Sequence, residues 1–209
     1  MNRRDFILRV LKWGSVVLAS TVISPLLIAE KASVGVSAPI SKDILFSSSL
    51  PIVENHFTFV NHRLRSYTDK IVIHHSDIEG TDDINAIDIH HMHQNNGWSG
   101  IGYHFYIHKS GLIETGRPID YVGAHTYKYN DKSMGICLAG NFEVEQPTQE
   151  QLNSTIQLIA VLSKIYTLMP NEQTILSHRD FNQTACPGAN LYAKMPIIRE
   201  QARQKLVQL

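Results

Sequence analysis

The chain has 209 residues with equal numbers of acidic and basic side chains, so its formal net charge is zero. Hydrophobic residues make up 43% of it, which suffices for the packed core of one domain. Residues 1–32 hold five basic and two acidic residues, which leaves a slightly negative remainder. This balance argues against a nucleic-acid-binding protein, which needs a basic face.

The N-terminal segment has the layout of an export signal. Arg3 and Arg4 are followed by an apolar stretch over about residues 13–29, an arrangement typical of the twin-arginine type. Pro25 interrupts the stretch, which is short for a membrane span. The sequence therefore favours residues 1–32 as a cleaved signal over a retained anchor, and predicts a periplasmic or secreted protein. Contact with the membrane is expected only if the segment is retained.

The serine-rich residues 33–64 are predicted to be a linker and an irregular lead-in to a domain over 65–209. Residues 69–75 form the first predicted strand, mostly apolar as a central strand should be. Side chains alternate along a strand, so His74 and His75 are expected on opposite faces of the sheet. Only one of these two histidines is then available to a given site.

The rest of the chain alternates predicted strands and helices. In chain order these are a helix over 81–95 capped within Thr81–Asp83, a strand over 101–108 with a tight turn into a strand over 112–115, a loop over 116–132, a strand over 133–139, a helix capped by Thr148, a strand over 174–176 and a helix from Pro196. The pattern predicts one α/β domain with a central mixed, largely antiparallel sheet flanked by helices.

The stretch over residues 177–188 carries a histidine and a cysteine eight positions apart, His178 and Cys186. Imidazole and thiolate are the ligands that zinc prefers, and a loop of this length allows both to reach one ion. His74, at the end of the first strand, is the best third donor. No further histidine or cysteine stands at an obvious spacing, so an open, catalytic zinc site is favoured over a structural one.

The other cysteine, Cys137, lies in an apolar stretch that predicts a buried strand. A disulfide between Cys137 and Cys186 is the competing interpretation in an exported chain. We rank it below the zinc site, because a small buried thiol is common in such a strand.

Five short motifs follow one another between residues 65 and 195. They are Ile71–Ser76; Gly97-Trp98 with Ile101–Phe105; Gly123–Tyr127 with Tyr129-Asn130; Ser133–Ile136 with Gly140–Phe142; and Ser177–Asp180 with Cys186–Gly188. The series resembles the zinc-dependent N-acetylmuramoyl-L-alanine amidases of the type-2 class, which include phage lysozyme-type amidases and animal peptidoglycan recognition proteins. The resemblance implies the fold of that family and hydrolysis of the amide between N-acetylmuramic acid and L-alanine in peptidoglycan or muropeptides.

The resemblance implies that His74, His178 and Cys186 bind Zn²⁺. The tyrosine of the family falls on Tyr103, whose hydroxyl is expected to donate to the tetrahedral oxyanion or to position water. Thr184 stands where some members have a lysine, and its hydroxyl is expected near the metal.

Three more residues, His93, His125 and Asn130, match positions that line the substrate groove in relatives. The match at His93 depends on how the helix before Gly97 is aligned. Taken alone, His125 would be a surface residue of a loop and Tyr103 an aromatic residue of the sheet.

Two other functions stay open at this point. The first is a module that binds peptidoglycan without cutting it; relatives of that kind usually lack a zinc ligand, so the retained Cys186 favours the enzyme. The second is a zinc hydrolase that acts on a different amide.

Overall fold

A computed structural model of the protein describes residues 43, 45, 48–80 and 84–209. The export signal predicted for residues 1–32 lies outside the described residues, and so do the predicted cap residues at 81–83. Among the helices of the described part, none combines the length and hydropathy that a membrane crossing requires.

The described residues form one mixed sheet with helices on both faces. The strands are β1 (Ile52–Val53), β2 (Lys70–His75), β3 (Phe105–Ile107), β4 (Ile113–Thr115), β5 (Ser133–Leu138) and β6 (Ile175–Ser177), and the helices are α1 (Ala86–Asn95), α2 (Gln149–Tyr166), α3 (Ala189–Tyr192) and α4 (Met195–Leu206), with a 3₁₀ turn over His178–Asp180. The predicted α/β architecture with a mixed sheet is thereby confirmed.

The direction of the strands differs from the prediction. The sheet order is β1-β4-β3-β5-β2-β6, and only β3 and β4 pair antiparallel, while the other four neighbouring pairs are parallel. The expectation of a largely antiparallel sheet is wrong. A tight turn can join only antiparallel neighbours, and the turn between β3 and β4 is the one short connection; the other neighbours are joined by long crossovers.

Helices α2 and α4 cover one face of the sheet. Their residues Leu158, Leu162 and Ile198 are buried in one cluster with Ile71 and Ile73 of the interior strand β2. The predicted cap of α2 is confirmed, because the Thr148 hydroxyl accepts a hydrogen bond from the backbone N–H of Gln151. This side of the sheet carries most of the hydrophobic core.

The opposite face is covered by α1 and by chain around residues 57–59 and 101–106. Helix α1 begins later than predicted, because Asn85 caps it by accepting from the backbone N–H groups of Ile87 and Asp88, both at 3.1 Å. It buries Ala86, Ile89 and His90.

The lead-in predicted for residues 33–64 is largely irregular where it is described. It nevertheless belongs to the fold, because β1 pairs with β4 at the edge of the sheet. Leu45 and Phe59 are also buried in the two cores.

Candidate metal centre

Parallel pairing of β2 with β6 places two histidines side by side. Ile73 is the register partner of Ser177. The residues that follow them in the chain, His74 and His178, therefore lie side by side at the carboxyl ends of the two strands. Their ring centroids lie 4.7 Å apart. The parallel pairing of β2 with β6, which the sequence did not predict, therefore brings His74 and His178 together.

The loop after the 3₁₀ turn brings Cys186 to the same place. The backbone N–H of Arg179 donates to the Cys186 carbonyl at 3.0 Å, which closes the loop on itself. Nδ1 of His74 then lies 3.6 Å from Sγ of Cys186. The candidate ligand atoms of His74, His178 and Cys186 all lie within 4.8 Å of one another.

Two ionic side chains hold this loop. One carboxylate oxygen of Asp180 accepts from both the backbone N–H and the hydroxyl of Ser177, at 2.8 Å each. Arg179 pairs with Glu143 at 3.0 Å rather than with the adjacent Asp180, and it also donates to the carbonyl of Ala185. The sequence did not point to Glu143, because it lies in a separate loop after β5.

The ligand set has three members among the described residues. His75 lies on the other face of the sheet, where its Nδ1 accepts from the backbone N–H of Phe142 at 3.2 Å. Cys137 is fully buried, and both Cys137 and Cys186 are free thiols, so the disulfide considered above is not formed.

The chemistry of the donor set fits zinc. Burial lowers the pKa of His74 well below its ordinary value and also lowers the pKa of His178, which leaves both imidazoles neutral with lone pairs available. Burial raises the pKa of the Cys186 thiol to about 12, so a thiolate there needs a cation beside it. Two imidazoles, one thiolate and an open fourth position are typical of a catalytic zinc site.

Tyr103 lies against the ligand set, with its ring centroid 5.1 Å from that of His74. It belongs to residues 101–104, which are irregular; the strand predicted from residue 101 begins only at Phe105. Burial, and then the neighbouring Cys137, raises the pKa of Tyr103 well above its ordinary value. Its hydroxyl therefore keeps its proton near neutral pH and can act as a donor.

Thr184 lies within the ligand loop, the segment over residues 178–188 that carries His178 and Cys186. Its hydroxyl accepts a hydrogen bond from the backbone N–H of Cys186 at 3.2 Å, and the side chain is half-buried. The hydroxyl proton is not used by this bond and is available to a second partner.

His93 reaches the site from α1. Its Nδ1 accepts from the backbone N–H of Gly102 at 3.1 Å, and its ring centroid lies 5.7 Å from that of Tyr103. It also contacts the half-exposed Trp98, with centroids 4.7 Å apart. Burial lowers the pKa of His93 to about 4, so the ring is neutral near pH 7.

The other two groove candidates have different surroundings. His125 is only 7% exposed and contacts His74, with its Nδ1 3.0 Å from His74 Nε2. Asn130 is half-buried, and its Oδ1 accepts from the backbone N–H groups of both His125 and Thr126, at 2.8 Å each. His125 thus lies behind a candidate ligand, and Asn130 holds the loop that carries it.

The sequence also gave no role to Asn182, whose Oδ1 lies 3.2 Å from Nε2 of His178. A partner of this kind fixes which ring nitrogen of a ligating histidine faces the metal. Its position four residues after His178, within the same motif, is a signal that was present in the sequence.

The sequence profile described as N-acetylmuramoyl-L-alanine amidase matches residues 64–189, more than half of the chain. The chain belongs to this amidase family. Membership confirms the expected class of enzyme, an amidase, and the expected α/β fold.

Individual relatives agree with this assignment. The chain is 41% identical over 110 residues to peptidoglycan-recognition protein LB of Drosophila melanogaster; the match covers 52% of this amidase and 47%, about half, of the fly protein. The solved endolysin N-acetylmuramoyl-L-alanine amidase LysCS of Clostridium intestinale is 35% identical with a TM-score of 0.65, and the match covers 72% of this amidase and 96% of that chain. A Drosophila peptidoglycan-recognition protein LB mutant solved in complex with tracheal cytotoxin is 30% identical with a TM-score of 0.62, over 69% of this amidase and 92% of that chain.

Proposed function

We propose that this amidase uses Zn²⁺ held by His74, His178 and Cys186 to hydrolyse the amide between N-acetylmuramic acid and L-alanine in peptidoglycan or muropeptides. The observation that carries the proposal is the convergence of three candidate ligand atoms within 4.8 Å of one another beside Tyr103. When bound, zinc supplies a Lewis acid for the scissile carbonyl and an activated water. Three protein ligands leave a position for these partners.

Tyr103 and Thr184 are the proposed catalytic side chains. The Tyr103 ring lies beside His74 and its hydroxyl keeps its proton, so this hydroxyl can donate to an oxyanion that develops at the scissile carbonyl. The same hydroxyl, through a water molecule, is the proposed source of the proton for the leaving amine. The Thr184 hydroxyl, two residues from Cys186, is the second proposed oxyanion donor.

We assign substrate contact to the face that carries His93. His93 and the half-exposed Trp98 form a polar and aromatic surface next to Tyr103, which suits a sugar and a short peptide. A relative solved with tracheal cytotoxin supports a muropeptide as the ligand class. Asn130 contributes by holding the adjoining loop.

The substrate lies outside the cytoplasm, so the proposal includes export. Arg3, Arg4 and the apolar stretch that follows supply a signal of twin-arginine type. Export in the folded state would suit a protein that acquires its metal before it crosses the membrane. The protein is then periplasmic or secreted, and contacts the membrane only if residues 1–32 are retained.

The proposal is tested by zinc content and by cleavage of a purified muropeptide, in wild type and in Cys186→Ala. We expect one zinc per wild-type chain and release of a peptide with a new L-alanine amine, both lost in the variant. Cys137→Ala is the matched control for the metal, because Cys137 is buried beside the site and contacts Tyr103 but is not a ligand; it should keep its zinc. Muropeptide binding without cleavage by the zinc-loaded wild type would show a recognition module instead. Cleavage of other amides, with muropeptides left intact, would show a zinc hydrolase of another substrate class.

A further inference from the structure

The two ring nitrogens of His74 have different partners. Nδ1 faces Cys186 Sγ at 3.6 Å, within the ligand set. Nε2 points away from it, toward Nδ1 of His125 at 3.0 Å, and the two rings meet edge to face with an interplanar angle of 84°. His125 is therefore the nearer hydrogen-bond partner of His74 Nε2, and the Thr126 hydroxyl is a second, longer one at 3.4 Å.

The hydrogen bonds fix the tautomers of both rings. A metal at His74 Nδ1 requires the lone pair there, so the proton of the neutral ring lies on Nε2 and is donated to His125. Nδ1 of His125 must then be an acceptor, which also suits the Thr126 hydroxyl 2.9 Å away as a donor, and the proton of the His125 ring lies on Nε2. That nitrogen faces Ser133, whose hydroxyl is 3.5 Å away. Each ring nitrogen thus has a partner of the right kind.

The ring of His125 is held in place from both sides by glycines. A Cβ at Gly135 would lie 2.6 Å from Cγ of His125, and a Cβ at Gly123 would lie 2.5 Å from its Cδ2. Asn130 accepts from the backbone N–H of the same residue at 2.8 Å. A 7% exposed ring packed in this way has little surface to offer a substrate.

We propose that His125 is a positioning residue, which holds the Nε2–H tautomer and the ring orientation of His74 so that Nδ1 is presented to zinc. This inference rests on the zinc site of the proposed function and replaces substrate contact as the role of His125. Partners of this kind raise the basicity of the ligand, and their loss costs about 10- to 100-fold in metal affinity.

The test compares the zinc dissociation constants of His125→Leu and His125→Asn with that of the wild type, by competition with a chelating dye. Leucine fills the space without an acceptor, whereas asparagine carries an oxygen at the position that Nδ1 occupies in histidine. We expect weakening of about 10- to 100-fold for His125→Leu and a much smaller change for His125→Asn. His90→Asn is the control, since His90 is also buried and also accepts one backbone hydrogen bond, from Ile101; its zinc affinity should equal that of the wild type.

Zinc affinity of a folded His125→Leu within about threefold of the wild type would overturn the inference, as would equal losses in the leucine and asparagine variants. If His125→Leu does not fold, nitrogen NMR of the histidine rings in the zinc-loaded wild type decides the matter. The inference requires protonated Nε2 and unprotonated Nδ1 in His125, and the opposite tautomer overturns it. A wild type that binds no zinc refutes the proposed function, whereas a wild type that binds zinc and cleaves, with an unaffected leucine variant, refutes only this inference.

Discussion

Nδ1 of His74 and Sγ of Cys186 lie 3.6 Å apart, although 112 residues separate them along the chain. Two structural features produce this contact: the parallel register of β2 and β6, which delivers His178 next to His74, and the loop after the 3₁₀ turn, which returns Cys186 to the same edge. The proposed chemistry depends on that edge of the sheet.

Tyr103→Phe should lower kcat by about 10²- to 10³-fold, the usual cost of removing one oxyanion donor. The ring remains to pack against His74, so zinc content should stay at the wild-type value. Steady-state cleavage of a muropeptide and metal analysis measure the two effects. Tyr121→Phe is the control, because that ring stacks on His62 away from the ligand set and should leave kcat unchanged. Loss of zinc in Tyr103→Phe would show that the hydroxyl supports the metal site rather than the reaction.

Glu143→Gln should loosen the ligand loop. Glu143 accepts from Arg179 at 3.0 Å and from the backbone N–H of Ala189 at 2.9 Å, so it joins the two ends of this loop. The pair is partly exposed, and we expect the free energy of unfolding to fall by about 1 kcal/mol or less after solvent screening. Zinc should be lost faster to a chelator, although less than the ~10-fold expected for a direct partner of a ligand. Glu200→Gln removes an exposed pair with Arg203 and should change neither quantity.

The metal-free protein should lose stability as the pH falls below about 6.5. Burial lowers the pKa of His125 to about 3 and the pKa values of His74 and His104 well below 6.5, so the unfolded chain takes up these protons before the folded one does. The free energy of unfolding keeps its full value above the pKa of histidine in the unfolded chain. Below that pKa it declines by about 1.4 kcal/mol per pH unit for each buried neutral histidine. Chemical unfolding of the metal-free protein at a series of pH values checks this, and a shallower slope is expected for His104→Asn. Constant stability down to about pH 4.5 would contradict the burial of neutral histidines.

Replacement of Arg3 and Arg4 by lysine should keep the protein in the cytoplasm. The twin-arginine pathway reads the paired arginines themselves, whereas a general export signal requires only positive charge. Cell fractionation with an antibody to the mature domain measures the change, and replacement of Arg9 by lysine is the matched control. Undiminished export of the double variant would rule out the twin-arginine type. The mass of the exported wild type then shows whether residues 1–32 are removed.

The sequence by itself determined most of the secondary-structure elements and the candidate ligands of the metal centre. The apolar run before His74, the cap at Thr148 and the tight turn between β3 and β4 follow from local side-chain and backbone preferences, and the structure confirms them. His178 and Cys186 were found because one short loop carries both, and strand alternation correctly separated His74 from His75.

Only the tertiary structure decided the strand directions, the surroundings of His125 and the partner of Arg179. Strand direction depends on which strands become neighbours, and long crossovers leave no local signal of that choice. His125 is an ordinary loop residue in sequence, and its place behind His74 exists only because β5 lies next to β2 and carries Gly135 where the ring must fit. Glu143 reaches Arg179 from a separate loop, and a contact between distant segments is set by packing rather than by either segment alone.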